Sequence, residues 1–95
     1  MTPPITLRMP WRIAAVEPLP AFRFRVRFID GTEGEADMAA LVHSETAGVF
    51  ATLADPALFA QVSVVNGAVT WPGEIDLAPD ALYAALRDGG GRVQL

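Results

Sequence analysis

The run FRFRVRFIDGTEGEADM, residues 22–38, restricts the fold of this chain more than any other stretch. Phe22, Phe24, Val26 and Phe28 alternate with Arg23, Arg25 and Arg27. A period of two is that of a β-strand, with the apolar side chains on one face and the arginines on the other. Asp30-Gly31 marks a hairpin turn. Charge argues for the loop length. A two-residue loop sets Val26 opposite Glu35 and mixes the faces. A three-residue loop, Asp30-Gly31-Thr32, sets Arg27 opposite Glu35, Arg25 opposite Asp37, Phe28 opposite Gly34 and Val26 opposite Ala36. Only the second keeps both faces consistent, because a one-residue slip reverses every side chain. Gly31 then takes the left-handed position of a bulge, and each arginine–carboxylate pair contributes roughly 0.2–1 kcal/mol.

A second hairpin follows in QVSVVNGAVTW, residues 61–71. Asn66-Gly67 suits a type I′ turn, in which both central residues have positive φ. A two-residue loop pairs Val65 with Ala68, Val64 with Val69 and Ser63 with Thr70. Residues 11–17 read as a first strand, and EPLP turns the chain because prolines 18 and 20 cannot donate to a ladder. Residues 38–43 read as a short helix. Asp55 and Pro56 form an N-cap and first helical residue. Pro72-Gly73 stops the strand that Trp71 ends. A last helix starts at Pro79, carries Leu82 and Leu86 as an apolar stripe, and is capped by Gly89. The expected organisation is an extended N-terminal arm over residues 1–10, touching the sheet through Ile5, Leu7 and Met9. A single α+β domain over 11–88 and a flexible tail over 89–95 follow.

Ninety-five residues suffice for one domain. Hydrophobic residues make up 52% and charged ones 19%, which excludes a disordered chain. The formal net charge is −4, and all seven basic residues are arginine. The absence of lysine reads as coding bias. An acidic chain is a poor partner for phosphates unless its charge is strongly segregated, so direct nucleic-acid contact is not expected. With no cysteine, disulfides and thiolate zinc sites are excluded. Neither a secretory leader nor a membrane-spanning run is present, so a cytoplasmic bacterial protein without membrane contact is expected.

Candidate sites have simpler structural readings beside them. Glu74, Asp76 and Asp80 lack the spacing of a calcium loop and suit a turn and a helix start, where a first-turn carboxylate favours the helix dipole. His43 and Ser44 are sequence neighbours without a nucleophile elbow. Glu33, Glu35 and Asp37 alternate opposite the arginines as a solvated, salt-bridged face rather than as acid–base catalysts. No catalytic, cofactor-binding or metal-binding residue is assigned, and no cofactor is expected. The possible interaction surface is Arg23, Arg25 and Arg27, incompletely quenched by acids, together with Trp71 and Pro72 as a partly exposed anchor.

The segments WRIAAVEPLP, FRVRFIDGTEGEADM and GVFATLADPALFAQVSVVNGAVTWPGEIDLAPDALY, in that order and spacing, resemble the small bacterial domain-of-unknown-function family 2442 over about residues 10–85. The specific elements are F-x-D-G, L-x-D-P-x-x-F and W-P-G…D-L-x-P-D-x-L-Y. The resemblance implies an α+β fold of three strands, a helix, two strands and a helix, and supplies no catalytic residues. Some relatives of this type carry an additional helix-turn-helix DNA-binding domain, for which this chain leaves no room after its last helix. Others are encoded beside a small partner protein, as in toxin–antitoxin pairs.

Together these readings predict an α+β domain, β(3)-α-β(2)-α, with an antiparallel sheet of two hairpin units and helices on one side. Its expected core is Trp11, Ile13, Phe24, Val26, Phe28, Leu53, Phe59, Val62, Val64, Val69, Trp71, Leu82 and Leu86. The expected function is a non-enzymatic protein-interaction or regulatory module, antitoxin-like or adaptor. Its expected partner is a co-encoded small protein or a second copy of itself. The alternative is a small-ligand or metal-binding sensor.

Overall fold

The structure, a computed structural model, describes residues 10–95; the contacts expected of Ile5, Leu7 and Met9 lie outside the described residues. The strands are β1 (Ile13–Leu19), β2 (Arg23–Phe28), β3 (Glu33–Asp37), β4 (Ser63–Val65), β5 (Ala68–Trp71), β6 (Ile75–Asp76) and β7 (Arg92–Gln94). The helices are α1 (Ala39–Val42), α2 (Pro56–Phe59) and α3 (Pro79–Asp88), with a 3-10 segment at Gly48–Ala54. The α+β class is as read from the sequence, but the strands divide into two sheets instead of one. These are a four-stranded sheet in the order β1-β2-β3-β7 and a three-stranded sheet β4-β5-β6.

The arginine-rich hairpin forms with three loop residues, but they are Ile29, Asp30 and Gly31. The ladder sets Arg27 opposite Glu33, Val26 opposite Gly34, Arg25 opposite Glu35, Phe24 opposite Ala36 and Arg23 opposite Asp37. This is two residues away from the expected register. Face consistency separates odd from even slips only, so it could not distinguish the two. Gly31 does take the left-handed position, at φ +90°. The Asp30 carboxylate accepts from the Thr32 N–H at 2.9 Å and fixes the turn.

β1 runs through Pro18 to Leu19, past the point where a turn was expected. It is an edge strand, where one row of N–H groups has no ladder partner and proline is admitted. A bulge between Ile13 and Ala15 shifts its pairing with β2. The turn is Pro20-Ala21-Phe22, with Ala21 at φ +63° and Phe22 at φ +60°. Such angles cost a non-glycine residue on the order of 1–3 kcal/mol. Two hydrogen bonds hold the turn: Arg23 Nε–H donates to the Pro20 carbonyl at 3.1 Å, and the Met38 N–H donates to the Phe22 carbonyl at 2.8 Å.

The Asn66-Gly67 hairpin has the expected register and positive φ at both turn residues. After Trp71 the chain reverses through Pro72-Gly73-Glu74, and Ile75–Asp76 return beside β5 as a third strand. The segment read as a loose tail is β7, parallel to β3. Three glycines bring it there. Gly90, at φ +68°, donates to the Arg87 carbonyl, and Gly91 donates to the Leu86 carbonyl at 2.7 Å, closing α3 as a Schellman cap. Gly89 keeps φ −91°. It is required for another reason, since a Cβ there would fall 2.0 Å from the Arg92 carbonyl.

The core joins the inner faces of both sheets. Phe24, Val26, Phe28 and Ile13 meet Val69 and Trp71, with Leu82 and Leu86 of α3 and Leu53 and Phe59 closing the ends. Of the expected core, Val62 and Val64 are half-buried at its margin and Trp11 is half-buried. Ala36, Met38, Val42, Ala47 and Ile75 are buried in addition.

Candidate interaction surface

The outer face of the four-stranded sheet carries the charges. Alternation along β2 turns Arg23, Arg25 and Arg27 outward while Phe24, Val26 and Phe28 are fully buried. The registers supply their neighbours. Arg25 lies between Glu17 of β1 and Glu35 of β3, Arg27 between Ala15 and Glu33, and Arg23 between Leu19 and Asp37. Arg92 of β7 stands across from Glu35.

Pairing on this face differs from the expected rungs. Arg23 Nη1 donates to Glu35 at 2.9 Å, along a diagonal, with the arginine side chain 38% exposed. Its direct neighbour Asp37 is otherwise engaged, accepting from the Ala39 N–H at 2.9 Å and starting α1. Arg23 thus ties β2 to β3 and, through Pro20, holds the strained turn. It is the one ion-paired arginine among the described residues; Arg25 and Arg27 are exposed on the same face. Between them, over the short side chain of Ala15 and beside Glu17 and Glu33, is a shallow depression of about 170 Å³. A second, of about 310 Å³, lies between Arg23 and Arg92.

The remaining candidate surface residues do not join this face. Trp71 is 1% exposed, and its indole N–H donates to the Phe59 carbonyl at 3.0 Å. It is therefore a core residue and not an exposed anchor, and it links the two sheets through an edge-on contact with Phe24 and a tilted one with Phe59. Pro72 is exposed, beside Val49 and Ile75 in an apolar groove of about 450 Å³. Glu74 sits in a turn at φ +62°, Asp76 in β6, and Asp80 accepts from the Ala81 N–H in the first turn of α3. The three do not converge. His43 Nδ1–H donates to the Ala39 carbonyl at 2.8 Å and its ring meets Phe22 edge-on.

One polar cluster was not anticipated. Tyr83 of α3 donates from its hydroxyl to the Asp30 carboxylate at 2.6 Å, and Arg87 donates to the same hydroxyl at 3.3 Å. The Tyr83 hydrogen bond, with that of the Thr32 backbone, holds the exposed Asp30 carboxyl below its usual 3.8. The F-x-D-G and L-Y elements thus meet across 53 residues, which makes both architectural. Their co-occurrence was a signal, but nothing in spacing alone said that they touch.

A family model described as protein of unknown function (DUF2442) matches residues 13–88. No curated protein matches the chain. Among solved structures it is similar to the "Putative DNA Binding Protein NE0471" from Nitrosomonas europaea, with a TM-score of 0.68 and 27% identity. The likeness covers 86% of this chain and 52% of that one, so this chain spans about half the length of that protein. The expectation of no direct nucleic-acid contact is corrected by this likeness. It rested on net charge, and a sum over the chain says nothing of the outer sheet face, where four of the seven arginines are gathered among Glu17, Glu33, Glu35 and Asp37. Among the described residues no helix is long and apolar enough to cross a membrane.

Proposed function

The chain belongs to the DUF2442 family of proteins of unknown function, and we propose that it is a non-enzymatic regulatory module of the bacterial cytoplasm, acting by binding in nucleic-acid-linked control. The observation that carries this reading is the arrangement of Arg23, Arg25, Arg27 and Arg92 on one solvent-facing sheet surface. A rigid sheet presents such side chains at fixed spacing, which suits recognition of an extended charged partner. Catalysis asks instead for groups converging on one reacting atom. The likeness to a protein named for DNA binding supports nucleic acid as the partner class.

A partner that binds only the folded state must raise the thermal midpoint, by about 2.7 kcal/mol of stability at a hundredfold excess over Kd. The test is the midpoint of the full chain at low salt, with duplex DNA in one series and metabolites and divalent metals in another. A rise with DNA alone supports the reading. A rise with a metabolite or metal alone replaces it with the sensor alternative.

A further inference from the structure

We propose that Arg25 and Arg27 are the phosphate-contacting pair of this face, that Arg23 is not, and that Glu17 and Glu33 hold the affinity low. This rests on the nucleic-acid reading above and names the groups that would carry it.

Three observations separate the arginines. Arg23 spends Nε on the Pro20 carbonyl and Nη1 on Glu35, so a phosphate gripped by either edge of its fork competes with one of these bonds, and its charge is already offset by Glu35. Arg25 and Arg27 are in no ion pair among the described residues. Of the acids facing them across the ladders, Glu35 is diverted to Arg23, while Glu17 opposite Arg25 and Glu33 opposite Arg27 stay beside them without an ion pair among the described residues. Finally, Arg27 faces Ala15 across the β1 ladder. A small side chain there leaves the notch of about 170 Å³ between the two guanidinium groups. That is several times the roughly 30 Å³ share of one water in the liquid, which is room for a tetrahedral phosphate.

Two residues along a strand separate the Cα atoms by about 6.7 Å, so each guanidinium fork can address its own anionic oxygens. The pair lies on the face of a four-stranded sheet, which is broader than the single helix or two-stranded ribbon a major groove admits. It therefore contacts backbone rather than base edges, and its binding is indifferent to sequence. Glu17 and Glu33 border the same notch. Their charges oppose the phosphate, so binding is weak and its salt dependence shallow. For two phosphates neutralised, log K against log salt has a slope of about −1.8 on duplex DNA and about −1.4 on a single strand. Raising salt fourfold then weakens duplex binding about twelvefold.

The experiment is fluorescence anisotropy of the full chain with a fluorescein-labelled duplex of arbitrary sequence and with one of its single strands, from 50 to 200 mM salt. Arg25→Ala with Arg27→Ala should weaken binding at least about tenfold and flatten the slope toward zero. Arg87→Ala, off this face, should leave affinity within about twofold. Glu17→Gln with Glu33→Gln should tighten binding several-fold; this pair removes no cation and keeps the test decisive if the double arginine variant loses its fold. If wild type binds neither oligonucleotide at 50 mM salt, the nucleic-acid reading itself falls. If wild type binds while the arginine variant retains its affinity, or the glutamine variant is no tighter, this assignment alone falls.

Discussion

Replacement of Trp71 by phenylalanine tests the joint between the two sheets. The indole is 1% exposed, donates to the Phe59 carbonyl at 3.0 Å, and lies against Phe24 and Phe59 with centroids 6.0 and 5.7 Å away. Phenylalanine keeps the aromatic contacts but leaves a void of about 40 Å³, worth about 1 kcal/mol at roughly 24 cal/mol per Å³. Loss of the hydrogen bond adds about 1 kcal/mol. The larger penalty of an orphaned carbonyl does not apply, because the Val62 N–H also donates to Phe59, at 3.3 Å. The total is about 2 kcal/mol, or a midpoint lower by about 8–16 °C for a domain of this size. Urea unfolding followed by far-ultraviolet circular dichroism measures it, with an unchanged m-value expected. A loss below about 0.5 kcal/mol would refute the reasoning, since neither the void nor the hydrogen bond would then matter. DNA affinity well below the midpoint should stay at the wild-type level; a drop would return Trp71 to the contact surface.

Gly89→Ala should detach β7, because its Cβ meets the Arg92 carbonyl at 2.0 Å; hydrogen exchange at Glu35 and Leu95, whose N–H groups are bonded to Gly91 and Asp37, should accelerate strongly. Ala21→Gly relieves a φ of +63° and should stabilise the chain by about 1 kcal/mol, read as a rise of several degrees in the midpoint. Tyr83→Phe should raise the Asp30 pKa toward 3.8, measured by NMR titration of its carboxyl. Because the folded-state value is depressed, the stability Asp30 confers is present above the unfolded value and is lost as pH falls through the folded one. The variant should therefore flatten the acid limb of the stability profile below about pH 4.

The functional reading depends on how charge is placed. A net charge of −4 argued against phosphate contact, but alternation on β2 collects three arginines on one face and β7 brings a fourth, interleaved there with four carboxylates of which Glu35 and Asp37 are engaged elsewhere. The alternation was legible in FRFRVRF. The fourth arginine was not, because its strand is three residues long, shows no periodicity and pairs in parallel with a strand far back in the chain.

Local rules determined the two hairpins, the Asp55 cap, the start of α3 at Pro79 and most of the core, since each depends on neighbours within a few residues. The Asp55 carboxylate does accept from the Ala57 N–H, at 3.0 Å. Alternation also fixed which side chains of β2 face outward. Tertiary packing decided the rest: the absolute register of the first hairpin, the division into two sheets, the return strand β6 and the parallel β7. It also decided which arginine is spent and which are free. Those outcomes depend on competition among distant groups, such as Glu35 choosing Arg23 over Arg25, or a triple glycine letting the Arg92 carbonyl reach the end of α3. A period of two is unchanged by a slip of two, and a short edge strand has no pattern of its own, so only contacts across the sheet could select among these alternatives.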